Sequence, residues 1–257
     1  MPLRAVVVDI EGTTSATDFV VRQLYPYSAA RFGRWIDEHP DDPDTVRALS
    51  GVRTLIGEPD ADTDRIVAVL RDWLAADRKV TPLKTLQGRI WQHGFAHGEL
   101  VSHFYPDAIP ALRGWRRAGH RLYVYSSGSV AAQRAWFGHS PDGDLRPLLA
   151  GYFDTENTGA KRATDSYRSI STAIGTDPAE TVFLSDLVEE LDAARLVGWH
   201  TVRVRRPGEP HYPAESNSHL EVGALSELDL SGDCPYSPRK AAKRRRADSN
   251  QPSPSPR

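Results

Sequence analysis

Two acidic side chains stand one residue apart where the first apolar run of the chain ends. The run Val6-Val7-Val8 leads into Asp9, and Glu11 follows just before the chain reaches Gly12. A continuous β-branched run of this kind predicts a strand that is buried on both faces. A carboxylate at the carboxyl end of such a strand lies in the crevice where open α/β sheets bind ligands. The spacing indicates a rigidly held nucleophile or metal ligand, with an ordinary strand and polar turn as the alternative.

Further polar groups follow later apolar runs in a regular order. The run before residue 126 ends in Ser126-Ser127-Gly128-Ser129, and a later run ends in Asp186, with Glu189 and Glu190 close behind. Lys161 lies between these two runs, in a polar stretch before a helical pattern. The ordered set is therefore an acid on the first strand, a hydroxyl on a middle strand, a lysine before a helix and an acid on a later strand.

The order of these motifs resembles the phosphatase branch of the haloacid dehalogenase superfamily. Glu11 stands where most of these phosphatases carry Asp. Further stretches resemble one family within that branch, the enolase-phosphatases of methionine salvage. These stretches are Asp9-Ile10-Glu11-Gly12-Thr13-Thr14, Leu86-Gln87-Gly88-Arg89-Ile90-Trp91, Tyr125-Ser126-Ser127-Gly128-Ser129-Val130 and Phe137-Gly138-His139-Ser140. The resemblance covers roughly residues 1 to 230.

The resemblance implies an enzyme that hydrolyses a phosphate ester through an aspartyl-phosphate. Asp9 would attack phosphorus, and Glu11 would protonate the leaving group and then activate water. Mg²⁺ would remove the repulsion between carboxylate and phosphate, held by the hard oxygens of Asp9, Asp186 and the Glu11 backbone carbonyl. Backbone amides, hydroxyls and one fixed positive charge would hold the phosphate. That phosphate-binding set is Ser126, Ser127, Gly128 and Lys161.

By the same resemblance, the substrate is 2,3-diketo-5-methylthiopentyl-1-phosphate, which is enolised and then dephosphorylated to an acireductone. One alternative is a capped phosphatase that acts on another small phosphate ester. A second is a receiver-type binding module with a phosphorylated Asp, which needs neither Glu11 nor the long helical segment that follows it. A third is a dehalogenase, which has no need of the acids at positions 11 and 186.

Several candidate residues also have ordinary structural explanations. Asp186 could cap the helix that follows it, and Ser127 or Ser129 could cap the helix after the second apolar run. Arg162 competes with its neighbour Lys161 as the cation that faces phosphate. The sequence is compatible both with these structural roles and with the roles in a phosphate site.

A histidine pair in the helical segment has the spacing of a zinc site. His93 and His97 stand four residues apart, so a helix would place both on one face. Gly94 replaces the Glu that follows the first histidine in zinc peptidases, and Gly98 weakens the helix further. We therefore expect surface or cap-lining histidines rather than a zinc site.

The periodicity predicts an α/β fold with a doubly wound, mostly parallel sheet and an inserted all-helical cap. We expect a discontinuous α/β core over residues 1–17 and 103–230, a helical cap over 18–102 that acts as a lid, and a disordered tail over 231–257. Aromatic residues of the cap are candidates for contact with the apolar half of the substrate, although such residues more often form the core. They are Tyr25, Tyr27, Trp35, Trp91 and Phe95.

Composition narrows the class of protein. The chain has 257 residues, 39% hydrophobic and 26% charged, and no apolar run approaches the roughly 20 residues that span a bilayer. Cys234 lies in the polar tail, which excludes an internal disulfide and a catalytic cysteine in the core. The tail is basic, so the remaining body is more acidic than the net charge of −2. We expect a cytoplasmic monomer that binds a small phosphate ester, and neither nucleic acid nor membrane.

Overall fold

The computed structural model describes residues 2–78, 80–212 and 218–231. The chain divides into two compact units. The α/β unit comprises the described parts of Met1–Ala16, Phe104–Gly128 and Arg146–Arg257, and the helical unit comprises the described parts of Thr17–His103 and Ser129–Leu145. The predicted disordered tail and Cys234 lie outside the described residues, except for Ser231.

The described part of the α/β unit forms a six-stranded sheet. Its strands are β1 (Ala5–Val8), β2 (Arg121–Tyr125), β3 (Leu149–Phe153), β4 (Thr181–Ser185), β5 (His200–Val204) and β6 (Leu220–Val222). They lie in the order β3-β2-β1-β4-β5-β6, and all neighbouring pairs are parallel. This topology confirms the predicted doubly wound, mostly parallel α/β fold class. Because β2 and β3 lie on one side of β1 and β4 on the other, the strand order reverses at β1, where such folds bind ligands.

The helices of both units follow one another along the chain. They are α1 (Thr17–Phe19), α2 (Tyr25–Ala29), α3 (Phe32–Glu38), α4 (Pro43–Ile56), α5 (Thr63–Ala75), α6 (Thr81–Ala96), α7 (Ala108–Arg117), α8 (Val130–Gly138), α9 (Thr164–Ile174) and α10 (Val188–Arg195), with a π-helical turn at Val20–Leu24. None of the described helices is both long and apolar enough to cross a membrane.

The central strand is buried on both faces, as its β-branched sequence predicts. All four residues of Ala5–Val8 are fully buried. On one face, Val7 belongs to an apolar cluster with Tyr125, Tyr167 and Phe183. Burial of this kind holds the end of β1 rigidly, which is what a catalytic carboxylate placed there requires.

Strands β3 and β6 were not predicted from the sequence. β3 is interrupted by Gly151, and none of its residues is fully buried, so it lacks the continuous apolar run of β1. β6 has only three residues, too few to show a pattern. Both have one neighbour in the sheet order, so they are its edges among the described strands.

The helical unit has its own apolar core. Phe32, Ile66, Leu70 and Leu86 are fully buried in it. Helices α4 and α5 begin at Asp42 and Asp62, whose carboxylates accept hydrogen bonds from backbone amides of the first turn. Among the aromatic candidates, Trp35 and Phe95 are buried, whereas Tyr25, Tyr27 and Trp91 are partly buried.

Helix α8 belongs to the helical unit, although its sequence lies in the stretch assigned above to the α/β core. It packs against α6. Ser129 caps it, since the Ser129 side chain accepts a hydrogen bond from the Ala132 amide. The alternative considered above for Ser129 is therefore the one that the structure shows.

Candidate active site

Asp9 lies immediately after β1, at the point where the strand order reverses. Its amide donates to the Leu184 carbonyl at 3.0 Å, which continues the pairing of β1 with β4. One carboxylate oxygen, Oδ1, accepts a hydrogen bond from the Ile10 amide at 2.8 Å. The residue is 6% exposed. A buried carboxylate fixed at both backbone and side chain has the rigidity that a nucleophile or metal ligand needs.

Lys161 is the cation that pairs with Asp9. Its Nζ lies 2.7 Å from Oδ1 of Asp9 and 2.8 Å from Oε2 of Glu190. Burial opposes the charge of the ammonium, but the two carboxylates outweigh burial and hold the pKa of Lys161 above its usual range. Arg162 is exposed. The structure thus places Lys161, rather than its neighbour, beside the predicted nucleophile.

Glu190 is a member of this cluster to which the sequence analysis assigned no role. Its Oε2 accepts hydrogen bonds from Lys161 and from the Ser185 hydroxyl at 2.9 Å. Burial raises the pKa of Glu190, although Lys161 lowers it. Glu190 lies in the first turn of α10, four residues after Asp186. An acid in the first turn of the helix that follows a buried strand is the sequence signal that could have identified Glu190.

Asp186 reaches the loop that follows β1. A Cβ atom at Gly12 would lie 2.3 Å from Oδ2 of Asp186, so only glycine leaves room for this carboxylate. Burial, together with the negative charge of Asp9, raises the pKa of Asp186 to about 8. Asp186 does not cap α10, whose N-cap position is Leu187. The capping alternative for Asp186 is therefore wrong.

The loop after β1 is a compact turn that carries Glu11. The amides of Thr13, Thr14 and Ser15 all donate to the Ile10 carbonyl, at 3.2, 3.0 and 2.9 Å. Gly12 has a φ of 70°, a left-handed conformation that favours glycine. Glu11 is partly exposed. The turn therefore places Glu11 two residues beyond Asp9, directly before Gly12, which approaches the carboxylate of Asp186.

The polar loop after β2 reaches the same edge of the sheet. Ser126 is buried, and its amide donates to the Phe153 carbonyl at 3.1 Å. The Gly128 amide donates to the Ser126 hydroxyl at 3.4 Å, and Ser127 is exposed. Since β2 pairs directly with β1, these residues follow the strand next to Asp9.

The donor set of the cluster fits a hard divalent cation. Asp9, Asp186 and Glu190 are all buried, and Lys161 offsets only one of their negative charges. No three His, Cys, Asp or Glu side chains are arranged to hold a metal together in the part of the chain that the structure describes. Mg²⁺ commonly takes one or two carboxylates and completes its shell with water and substrate phosphate. Asp9 and Asp186 could supply those two.

The histidine pair lies at the C-terminal end of α6, with His97 at the C-cap position. The rings of His93 and His97 stack with centroids 4.0 Å apart, and Nδ1 of His97 is hydrogen-bonded to the His93 carbonyl. Both histidines are exposed. The expectation that they do not bind zinc stays a prediction.

Comparisons with known proteins identify the family. A family model described as a haloacid dehalogenase-like hydrolase matches residues 3–198. Enolase-phosphatase E1 of Streptomyces avermitilis is 58% identical over 226 residues, which cover 88% of this chain and 95% of that protein. Enolase-phosphatase E1 of Saccharopolyspora erythraea is 51% identical over 229 residues, with coverages of 88% and 95%. The crystal structure of the UTR4 protein of Saccharomyces cerevisiae matches with a TM-score of 0.71 at 31% identity, covering 86% of this chain and 98% of that one. The chain therefore belongs to the haloacid dehalogenase-like hydrolases and, within them, to the enolase-phosphatase family.

Proposed function

We propose that this enzyme is a Mg²⁺-dependent enolase-phosphatase that uses Asp9 as its nucleophile. Its substrate in methionine salvage would be 2,3-diketo-5-methylthiopentyl-1-phosphate, and its product an acireductone. The observation that carries this proposal is the buried cluster in which Asp9, at the end of the central strand, pairs with Lys161 beside two further acids. A nucleophile, a phosphate-binding cation and a source of metal ligands are thus close together.

In the phosphatase step, a carboxylate oxygen of Asp9 forms a bond to phosphorus while the bond between phosphorus and the ester oxygen breaks. Glu11 donates a proton to that ester oxygen as it leaves. Lys161 holds positive charge against the phosphoryl oxygens, where negative charge accumulates. Ser126 and the Gly128 amide supply hydrogen-bond donors for the same oxygens.

Hydrolysis of the aspartyl-phosphate returns Asp9 to its starting state. Water attacks phosphorus, and Glu11, now ionised, takes the proton that this water loses. The bond between phosphorus and the Asp9 oxygen breaks, which releases inorganic phosphate and the free carboxylate. Glu11 is protonated again and ready for the next ester.

Asp9, Asp186 and the Glu11 carbonyl would hold the metal ion. The chemistry that Mg²⁺ supplies when bound is neutralisation of charge between Asp9 and the phosphate, and polarisation of the diketone oxygens during enolisation. In that first half-reaction a proton is lost from carbon next to a carbonyl, and the site must accept it. Cytoplasmic location and a monomeric state stay predictions.

Turnover of the diketo phosphate with and without Mg²⁺ tests the proposal. Phosphate release and enol absorbance are followed together, in chelator and after Mg²⁺ is restored. We expect both signals to need Mg²⁺ and to need no zinc. A protein that hydrolyses a panel of other phosphate esters but not the diketo phosphate would support the alternative of a phosphatase with another small substrate. Full activity in chelator would contradict the metal requirement.

A further inference from the structure

Arg206, which is far from the loop after β1 in the sequence, forms hydrogen bonds with that loop. Its guanidinium donates twice to the Thr13 carbonyl, from Nε at 3.1 Å and from Nη2 at 2.9 Å. The arginine is 4% exposed, and it lies two residues beyond the end of β5. Two donors on one carbonyl fix both the position and the direction of that peptide group.

Arg206 is itself held in place by a partly buried acid, Asp107. Nη1 of Arg206 lies 2.8 Å from Oδ1 of Asp107 and 3.3 Å from the Gly223 carbonyl. The other carboxylate oxygen of Asp107 accepts a hydrogen bond from the Leu225 amide at 2.6 Å. These contacts fix the position of the guanidinium. The guanidinium in turn fixes the position of the Thr13 carbonyl.

Tyr105 fixes the next residue of the same loop. Its amide donates to the Thr14 carbonyl at 3.0 Å. The guanidinium of Arg206 lies over its ring, 4.3 Å from the centroid, and its hydroxyl donates to Glu209 at 2.5 Å. Two successive carbonyls of the loop are therefore held, Thr13 by the Arg206 side chain and Thr14 by the Tyr105 backbone amide.

The position of this loop matters because it carries Glu11 and Gly12. The space between Gly12 and the carboxylate of Asp186 is too small for a methyl group. A shift of the Thr13 peptide therefore changes the distance between the Glu11 carbonyl and Asp186, which the proposed function names as two of the metal's ligands. Residues that orient ligands in this way typically alter metal affinity 10- to 100-fold when replaced.

We propose that Arg206 is a positioning residue that sets the Glu11–Gly12 turn against Asp186 for Mg²⁺ binding. This inference rests on the proposed function, since it assumes a metal at that turn. It assigns no contact between Arg206 and the substrate. Its consequence is that Arg206 acts on the affinity for Mg²⁺ more than on the chemical step.

Calorimetric titration of Mg²⁺ into metal-free protein tests this role directly. Arg206→Lys keeps the charge beside Asp107 but loses the double donation to Thr13. We expect its Mg²⁺ affinity to fall about 10- to 100-fold, with the Mg²⁺ concentration for half-maximal activity rising in parallel. We expect kcat at saturating Mg²⁺ to return close to the wild-type value.

Arg203 provides the matched control. It is fully buried on β5, and it bonds to Glu221 and to the His211 carbonyl. Arg203→Lys should lower the melting temperature as much as Arg206→Lys does, but leave the Mg²⁺ affinity unchanged. If Arg206→Lys does not fold, Asp107→Asn loosens the same guanidinium from its other side and should weaken Mg²⁺ binding in the same direction.

The results of these experiments distinguish failure of the proposed role of Arg206 from failure of the proposed function. A folded Arg206→Lys or Asp107→Asn protein that binds Mg²⁺ as tightly as wild type overturns the role of Arg206 alone. An equal loss of affinity in Arg203→Lys overturns it too, because the effect would then be general. Wild-type protein that binds no Mg²⁺ and releases no phosphate overturns the proposed function as well.

Discussion

Two buried ionic clusters in the α/β unit differ in how completely their charges are paired. The Lys161 ammonium pairs with the buried carboxylates of Asp9 and Glu190, and the nearby buried Asp186 has a pKa raised to about 8 by burial and by the charge of Asp9. Around Arg206, one guanidinium faces Asp107 and backbone carbonyls. Burying an unpaired charged group costs free energy of folding. An excess of buried ionisable groups is therefore typical of functional sites, where a bound ion or ligand stabilises them. The surplus of buried carboxylates over cations marks the cluster around Lys161 as the one that a metal ion would complete.

Replacement of the nucleophile Asp9 should give the largest loss of activity. Asp9→Asn keeps the shape of the side chain but replaces the nucleophilic carboxylate with a neutral amide, so phosphate release should fall more than about a thousandfold. Asp165→Asn, at an exposed ion pair with Arg168, should leave activity unchanged. Phosphate assays on both variants, with melting curves to check folding, make the measurement.

The same variant can separate the two half-reactions. Enolisation needs the metal and a proton acceptor, but not a bond to phosphorus. We expect a weak enol signal from Asp9→Asn at high Mg²⁺, without free phosphate. Retention of more than a few per cent of phosphate release would contradict the role of Asp9.

Removal of the shared cation tests whether the cluster carries excess negative charge. Lys161→Met leaves the carboxylates of Asp9 and Glu190 without their partner, which should lower the free energy of unfolding by about 3–5 kcal/mol. Added Mg²⁺ should then raise the melting temperature of the variant more than that of wild type. Arg162→Met, at the exposed neighbour, should show neither effect. Equal stabilisation of all three proteins by Mg²⁺ would argue against a metal at this cluster.

The close approach of the loop to Asp186 predicts a smaller effect. Gly12→Ala combines a left-handed backbone with a Cβ atom that would lie 2.3 Å from Asp186. Gly175→Ala, where φ is 59° and no atom lies within 4 Å of the added Cβ, carries the backbone strain alone. Gly175→Ala should lose about 1–2 kcal/mol of stability from backbone strain alone, and Gly12→Ala should lose more because of the added clash. Only Gly12→Ala should also lose activity, by about tenfold, because it displaces a carboxylate of the site.

The sequence predicts the first cluster far better than the second. The end of β1 and Lys161 belong to local patterns, namely an apolar run that ends in an acid and a lysine before a helix. Glu190 could have been found as an acid in the first turn of the helix after β4. Arg206 could not, because its bond to Thr13 joins residues 193 positions apart. Such contacts depend on the order of strands in the sheet, which no local pattern records.

The smallest predicted effect concerns His120, a buried histidine whose neutral form is favoured by burial. His120 is buried before β2, and its Nδ1 is hydrogen-bonded to the Leu3 carbonyl at 3.0 Å. Burial lowers the pKa of His120, although the Leu3 carbonyl opposes the shift. The unfolded chain, with a histidine pKa of about 6.5, therefore binds a proton before the folded protein does. This group's contribution to the free energy of unfolding is complete above that pH and is lost as the pH falls through it toward the lower folded pKa.

His120→Asn isolates that contribution, because the asparagine amide can donate to the same carbonyl without titrating. Burial lowers the pKa of His219 as well, and the raised pKa values of Asp186 and Glu190 act in the opposite direction, so the wild-type slope is a sum of several groups. The difference between variant and wild type removes those shared terms. Urea melts from pH 7.5 down to 5 should show wild type losing stability relative to His120→Asn as the pH falls below about 6.5. Parallel curves for the two proteins would mean that His120 takes up its proton without cost in the folded state. Burial would then be no barrier to charge at this position, unlike in the cluster around Lys161.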